Sequence, residues 1–364
     1  MVSSLAAKLF SLPAPTTRWI SIWRASSRVD TPQQPSRIRN QVKFLLRAWA
    51  RPGLTGMWLS RLVQPDLSPL WALRPRLATK LQRPYVSAEW GPNEICAALF
   101  GHYELLPRLL SPAALEAAYG QGLHVLELHN TTNGRRLLIR LYYQDQFEKE
   151  GELTLGVLDE ATSLCLAGLT FCLARNAGRR IAIIGGLQAS PDPRVRGLIH
   201  DVAKELHGLR PKAFALWILQ QLCNSWHIEE LQGVCDAQHI YRHRHKRRHI
   251  AASYDEFWRE CEGRQLPGGG WNLPLQPRQR SREELKASRR KQHERRYALL
   301  GEVQHRLMAA LPTLSPGAAE AHDTSRLLVC SFASKEVPAP AAPAVHDNHQ
   351  LTGPVMPEPL NHSY

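Results

Sequence analysis

The chain has 364 residues, 43% hydrophobic and 21% charged, which suits a globular body of one large or two modest units and excludes a fibrous or wholly disordered chain. Lys and Arg number 46 against 32 Asp and Glu, a net charge of +14 that admits nucleic acid, an anionic membrane surface or a phosphate-bearing small molecule without choosing among them. Seven cysteines, odd in number and without a C-x-x-C pair, argue against a disulfide framework and a zinc knuckle and fit a reducing compartment.

The charge is unevenly spread. Residues 1–86 carry 14 basic and 2 acidic groups and residues 242–311 carry 17 and 8, whereas residues 87–241 carry 13 and 17. The middle is therefore mildly acidic, and the positive excess belongs to its flanks. The N-terminus lacks an uninterrupted secretory apolar run, and no segment reaches the ~20 apolar residues of a membrane span. The expected location is cytoplasmic, with peripheral contact at the inner membrane.

Residues 1–40, rich in Pro, Ser, Thr and Arg without a sustained period, read as a disordered basic arm. Residues 41–120 read as a helical lead-in. QVKFLLRAWA opens it, a Pro-punctuated run with Trp58, Leu62, Leu67, Leu70 and Trp71 follows, and Pro92 and the Ser111-Pro112 pair start two further helices. LHVLELHN, RRLLIRLYY, GELTLGVLD, SLCLAGLTFCLA and RRIAIIGGLQ then predict an antiparallel meander, its first turn at Asn133-Gly134. Past Gln188 the period becomes helical in VRGLIHDVAKELHG and AFALWILQQLCNSW, and ELQGVC at 230–235 returns as a strand. This order predicts an α+β domain: an antiparallel sheet with a helical hairpin and a return strand. A basic run RHRHKRRH, the segment SYDEFWREC, a Gly/Pro loop with Trp271 and a long basic helix from about Ser281 to Leu311 complete a core of residues 121–311. Ser281 and Glu284 have capping-box spacing. Residues 312–364 read as a disordered Pro/Ala-rich tail.

Three constellations could carry chemistry. Gly185, Gly186 and Gln188, with His207, Arg210 and Lys212 near the next helix start, form a candidate anion site, since backbone N–H groups and a helix N-terminus attract phosphate. The competing reading is plain helix punctuation, and neither a P-loop nor a dinucleotide fingerprint is present. In the stretch Cys235, His239, His243, His245 and His249, His239 and His243 have helical spacing for a metal, but the intervening Arg242, Arg244, Lys246, Arg247 and Arg248 would repel a cation, so no metal is expected. Those arginines, with Arg289, Arg290 and Arg296, form a candidate basic surface for anionic lipid or, less favoured, nucleic acid.

The ordered segments GELTLGVLD, GGLQ, KELHGLRPK, GVCDAQHIYRHRHKRRHIAASYDEFW and KASRRKQHERRYALL resemble the bacterial VirK/YbjX family over about residues 40–311. Departures from the family's pattern stand at Ala189, Cys235, Asp236 and Ser253. The resemblance implies a cytoplasmic protein supporting envelope homeostasis, virulence and resistance to cationic antimicrobial peptides, with a link to stress and the DNA-damage response; it names no reaction. The strand and helix order is also similar to the GCN5-related acyltransferase layout. That similarity implies an acyl or aminoacyl transferase using acyl-CoA or aminoacyl-tRNA on an envelope substrate, with Gly185, Gly186, Gln188, His207, Arg210 and Lys212 holding the donor and His239 or Tyr241 as general acid or base. The alternative is a non-enzymatic basic protein on anionic membrane or nucleic acid.

Overall fold

A computed structural model describes residues 15–27, 37–130, 132–241, 253–316 and 329–332. The lead-in comprises α1 (Pro15–Ser26), α2 (Arg37–Ala50), α3 (Pro52–Leu62), α4 (Ser68–Leu73), a 3-10 segment at Pro75–Gln82, α5 (Pro92–Leu109) and α6 (Pro112–Tyr119). Proline stands in the first turn of α3, α4, α5 and α6, where its missing N–H leaves no intrahelical bond unmade. Ser111 caps α6 by accepting from the Ala114 N–H.

The sheet follows: β1 (Leu123–Asn130), β2 (Arg136–Tyr142), β3 (Leu153–Asp159), β4 (Cys165–Asn176) and β5 (Arg179–Gln188) form the expected antiparallel meander. Helices α7 (Val195–Glu205) and α8 (Pro211–Ser225) then lead to β6 (Glu230–Gly233), which lies parallel to β5. α9 (Tyr254–Glu260), β7 (Arg264–Gln265), β8 (Trp271–Leu273) and α10 (Ala287–Leu314) come next, and β9 (Val329–Phe332) pairs parallel with β1. The order across the nine strands is β7-β8-β6-β5-β4-β3-β2-β1-β9, mostly antiparallel, so the fold is α+β.

β4 is buried along nearly its whole length, so both of its faces are covered; α5 and α8 pack against it. One apolar core runs from Ile22 in α1 to Leu311 in α10, so the lead-in helices share it with the sheet. Trp58 of α3 anchors this join, fully buried and donating its indole N–H to the Leu77 carbonyl at 2.9 Å.

The structure departs from the sequence reading at four places. A helix, α1, lies within the expected disordered arm, because Ile22 and Ala25 find a partner surface on the lead-in. β9 lies within the expected tail, paired along the β1 edge. Trp271 stands in a short strand rather than a loop. The long helix begins at Ala287, and the Glu284 carboxylate accepts from the Ser281 N–H in the turn ahead of it.

Candidate functional site around Glu150 and His239

Three acids at alternate positions, Glu148, Glu150 and Glu152, lead into β3, and all three are buried. Such charges persist in a core only when each finds a partner. Glu148 takes a two-pronged contact from Arg76, at 2.7 and 3.2 Å, and a second ion pair with Arg83. Glu152 faces Lys80 Nζ at 3.0 Å and accepts from the Tyr103 hydroxyl at 2.6 Å. Lys80, itself buried, also donates to the carbonyls of Glu148 and Gly151 at 2.7 and 3.0 Å.

Glu150 is the acid of this row that meets a histidine. Its Oε1 lies 3.5 Å from His239 Nε2, within ion-pair reach but longer than a well-made hydrogen bond, and its Oε2 accepts from the Gln188 amide. Burial raises the Glu150 carboxyl above its ordinary value, while His239 and Gln188 pull it back in part. The His239 ring lies 4.9 Å from that of Tyr254 and 5.7 Å from that of Tyr241, and His239 Nδ1 accepts from the Tyr241 N–H at 3.4 Å. Tyr241 is half-buried.

The glycines expected to cradle an anion make room for Glu150 instead. β5 continues through them to Gln188, with a register shift that pairs Gly186 with Thr170 and Ile184 with Phe171, leaving Gly185 as the extra residue. A Cβ on Gly185 would overlap the Glu150 carbonyl, and one on Gly186 would overlap the Glu150 carboxylate. Their N–H groups are thus part of a strand, not of a loop ahead of a helix.

Beside them β6 stops. It pairs with β5 only from Ile181↔Glu230 to Ile184↔Gly233, with a last bond from Val234 N–H to the Ile184 carbonyl. β5 runs on, and the Tyr254 hydroxyl takes up the backbone of Leu187, accepting from its N–H at 2.8 Å and contacting its carbonyl at 3.3 Å. A side chain here stands where a longer β6 would have supplied its ladder.

The remaining expected site residues lie elsewhere. Arg210 is ion-paired with Glu260 at the C-terminal end of α9, and Lys212 Nζ sits 4.4 Å from the Phe257 ring centre. His207, in the left-handed region at φ 53°, presents its carbonyl to Arg296, which donates from Nε at 3.2 Å and Nη2 at 2.9 Å. Thus Gly185, Gly186, Gln188, His239 and Tyr241 gather around Glu150, whereas His207, Arg210 and Lys212 do not join them. On the expected basic surface Arg289 is exposed, but Arg290 bonds the carbonyls of Arg282 and Leu285, and Arg296 that of His207, so these two serve the fold. Arg242, Arg244, Arg247 and Arg248 lie outside the described residues. Among the described residues no group of three His, Cys, Asp or Glu is placed to hold a metal ion.

Two departures from the family pattern have a structural reading. Asp236 accepts from the Ser253 hydroxyl at 2.5 Å and from the Tyr254 N–H at 2.9 Å, while Ser253 caps α9 by accepting from the Glu256 N–H at 3.1 Å. Asp236 and Ser253 thus act as one unit that seats Tyr254. Ala189 is exposed and Cys235 buried.

The acidic row escaped the sequence reading because E-x-E-x-E beside a turn looks like a solvated charge run. Its one signal is that the alternation continues without a break into the apolar strand LTLGVLD.

Residues 33–309 match the family described as "Protein of unknown function (DUF535)". Uncharacterized protein YbjX of Escherichia coli K12 is 30% identical over 267 residues, which cover 72% of this chain and 80% of that protein. An uncharacterized protein of Haemophilus influenzae is 28% identical over 121 residues, 33% of this chain and 41% of that protein. No solved structure matches.

Proposed function

The chain belongs to the DUF535 family, and from that premise we propose that it is an acyl or aminoacyl transferase of GCN5-related layout whose reacting groups are His239 and Tyr241, with Glu150 as the residue that holds His239. The observation that carries this reading is the notch where β5 outruns β6 beside the Glu150–His239 pair. A parallel pair that parts in mid-sheet leaves backbone N–H and C=O groups open to an extended ligand, and Leu187 is such a residue, at present matched by the Tyr254 hydroxyl.

In this reading the donor is a thioester such as acyl-CoA, or the ester of an aminoacyl-tRNA, lying on the β5 edge at Leu187 past the end of β6, where the Tyr254 hydroxyl gives way to it. An acceptor amine or hydroxyl attacks the donor carbonyl and gives its proton to His239 Nδ1, the ring nitrogen that does not face Glu150, displacing the long 3.4 Å contact from the Tyr241 N–H. The new C–N or C–O bond forms as the C–S or C–O bond of the donor breaks, Tyr241 supplies the proton that the leaving group carries away, and the His239 imidazolium returns its proton to Tyr241, so both groups end as they began. Glu150 is the counter-charge for the imidazolium so formed. Arg210, which meets the far end of α9 from Tyr254, has no part in these steps. Acceptors in the cell envelope would join this chemistry to the envelope homeostasis and peptide resistance that the family resemblance implies.

The test is calorimetry and thermal shift on the full chain with acetyl-CoA, a long-chain acyl-CoA and an aminoacyl-tRNA in turn. Binding of one donor class, with transfer lost in His239→Ala while that donor still binds, is expected. No heat and no shift with any donor sinks the proposal.

A further inference from the structure

Helices α1 and α2 carry apolar side chains that the fold leaves in solvent. Ile20 and Trp23 on α1 are 52% and 69% exposed, and Ile38, Val42 and Leu46 on α2 are 76%, 49% and 60% exposed. At 100° per residue α2 has three distinct faces. Phe44 and Ala48 point into the core. Ile38, Val42 and Leu46 form a second apolar row, which the exposed Trp49 extends. Arg39, Lys43 and Arg47 form a basic row beside it, all three exposed and without an ion pair among the described residues. One buried face suffices to fix a helix on a globular body, and among the described residues nothing packs the second apolar row into the core.

Its charge setting identifies the occupant. α1, α2 and α3 contain no acidic residue, and exposed Arg24 and Arg51 add to the basic row. A second copy of this face would bring basic row against basic row with no acid on these three helices to answer it. A nucleic-acid backbone would satisfy the cations but leave the aliphatic side chains facing phosphate. An anionic bilayer satisfies both, taking apolar side chains at the acyl boundary and cations at the lipid phosphates. We propose that α1 and α2 form a membrane-surface face of this protein, with Ile20, Trp23, Ile38, Val42 and Leu46 entering the interface of an anionic bilayer and Arg24, Arg39, Lys43 and Arg47 binding its phosphates. This surface is independent of the Glu150–His239 site, and a result for one leaves the other standing.

The test is flotation of the full chain with vesicles of phosphatidylcholine alone or mixed with phosphatidylglycerol. The proposal expects retention on the mixed vesicles only, weakening with salt. Val42→Glu with Leu46→Glu should lower the bound fraction at least tenfold, and so should Arg39→Glu with Lys43→Glu and Arg47→Glu. All of these positions are exposed, so thermal melting should stay at the wild-type value and show that the fold is kept. No retention on anionic vesicles, or retention that the Val42 and Leu46 substitutions leave intact, overturns the proposal. It is also overturned if the intact chain is a dimer that Leu46→Glu dissociates, or if retention appears only after removal of residues 1–14, since the face would then be covered by a second copy or by the chain's own N-terminus.

Discussion

The carboxylate of Glu150 stands 3.5 Å from the imidazole of His239, and both side chains are almost wholly removed from solvent. The acid comes from the lead into β3 and the histidine from the turn after β6, so the pair exists only once the sheet has closed from β3 through β6. Glu150 is also the reason that Gly185 and Gly186 must lack side chains. A catalytic reading and a packing reading thus meet in one carboxylate, and pH separates them.

Burial raises the Glu150 carboxyl above its unfolded value. Between the two values the folded chain holds more protons than the unfolded one, so stability falls as pH rises from the ordinary carboxylate range through the raised value. Glu150→Gln should remove that slope. The check is a series of thermal melts from pH 4 to 8 on both proteins; identical slopes contradict the assignment.

His102 behaves in the opposite sense. It is fully buried, accepts the Leu173 N–H on Nδ1 at 3.1 Å, and burial depresses its proton affinity to a pKa of about 3. The unfolded chain then binds the extra proton below the usual histidine value near 6.5, and stability is lost as pH falls from there toward 3. The loss at pH 5 should be about 2 kcal/mol. His102→Asn, which keeps an acceptor for Leu173, should flatten the denaturant-derived stability between pH 5 and 7.

The Lys80–Glu152 pair is the most deeply buried ion pair described, with side chains 2% and 0% exposed. Lys80→Met alone leaves an uncompensated carboxylate beside Tyr103 and should cost roughly 3–5 kcal/mol. Adding Glu152→Gln removes that charge and should return part of the loss. A double-mutant cycle in urea reads the coupling; additive single effects would show that the two charges do not depend on each other.

Tyr254→Phe tests the notch. The ring stays against His239, but both polar groups of Leu187 lose their partner, which should cost about 1–3 kcal/mol by chemical denaturation. Faster hydrogen exchange at the Leu187 amide, with other β5 amides unchanged, is the local signature. An unprotected Leu187 amide in the wild type would refute the contact.

The class of this fold is written locally. Side-chain alternation with short turns fixes a meander, and Pro at helix starts with a 3.6-residue period fixes the lead-in helices and the pair α7 and α8, because each signal lies within about ten residues. The family segments are equally legible, and Gln188, His239 and Tyr241, singled out from the sequence, lie around Glu150. What the chain could not disclose by itself depends on partners far along it. Glu148, Glu150 and Glu152 are core residues only because Arg76, Arg83, Lys80 and His239 arrive beside them, and Gly185 and Gly186 are small for the sake of an acid some 35 positions earlier. α2 likewise displays two apolar rows in sequence. Only the packing of the lead-in selects Phe44 and Ala48 for the core and leaves Ile38, Val42 and Leu46 outside, because burial belongs to the assembled surface and not to the residue.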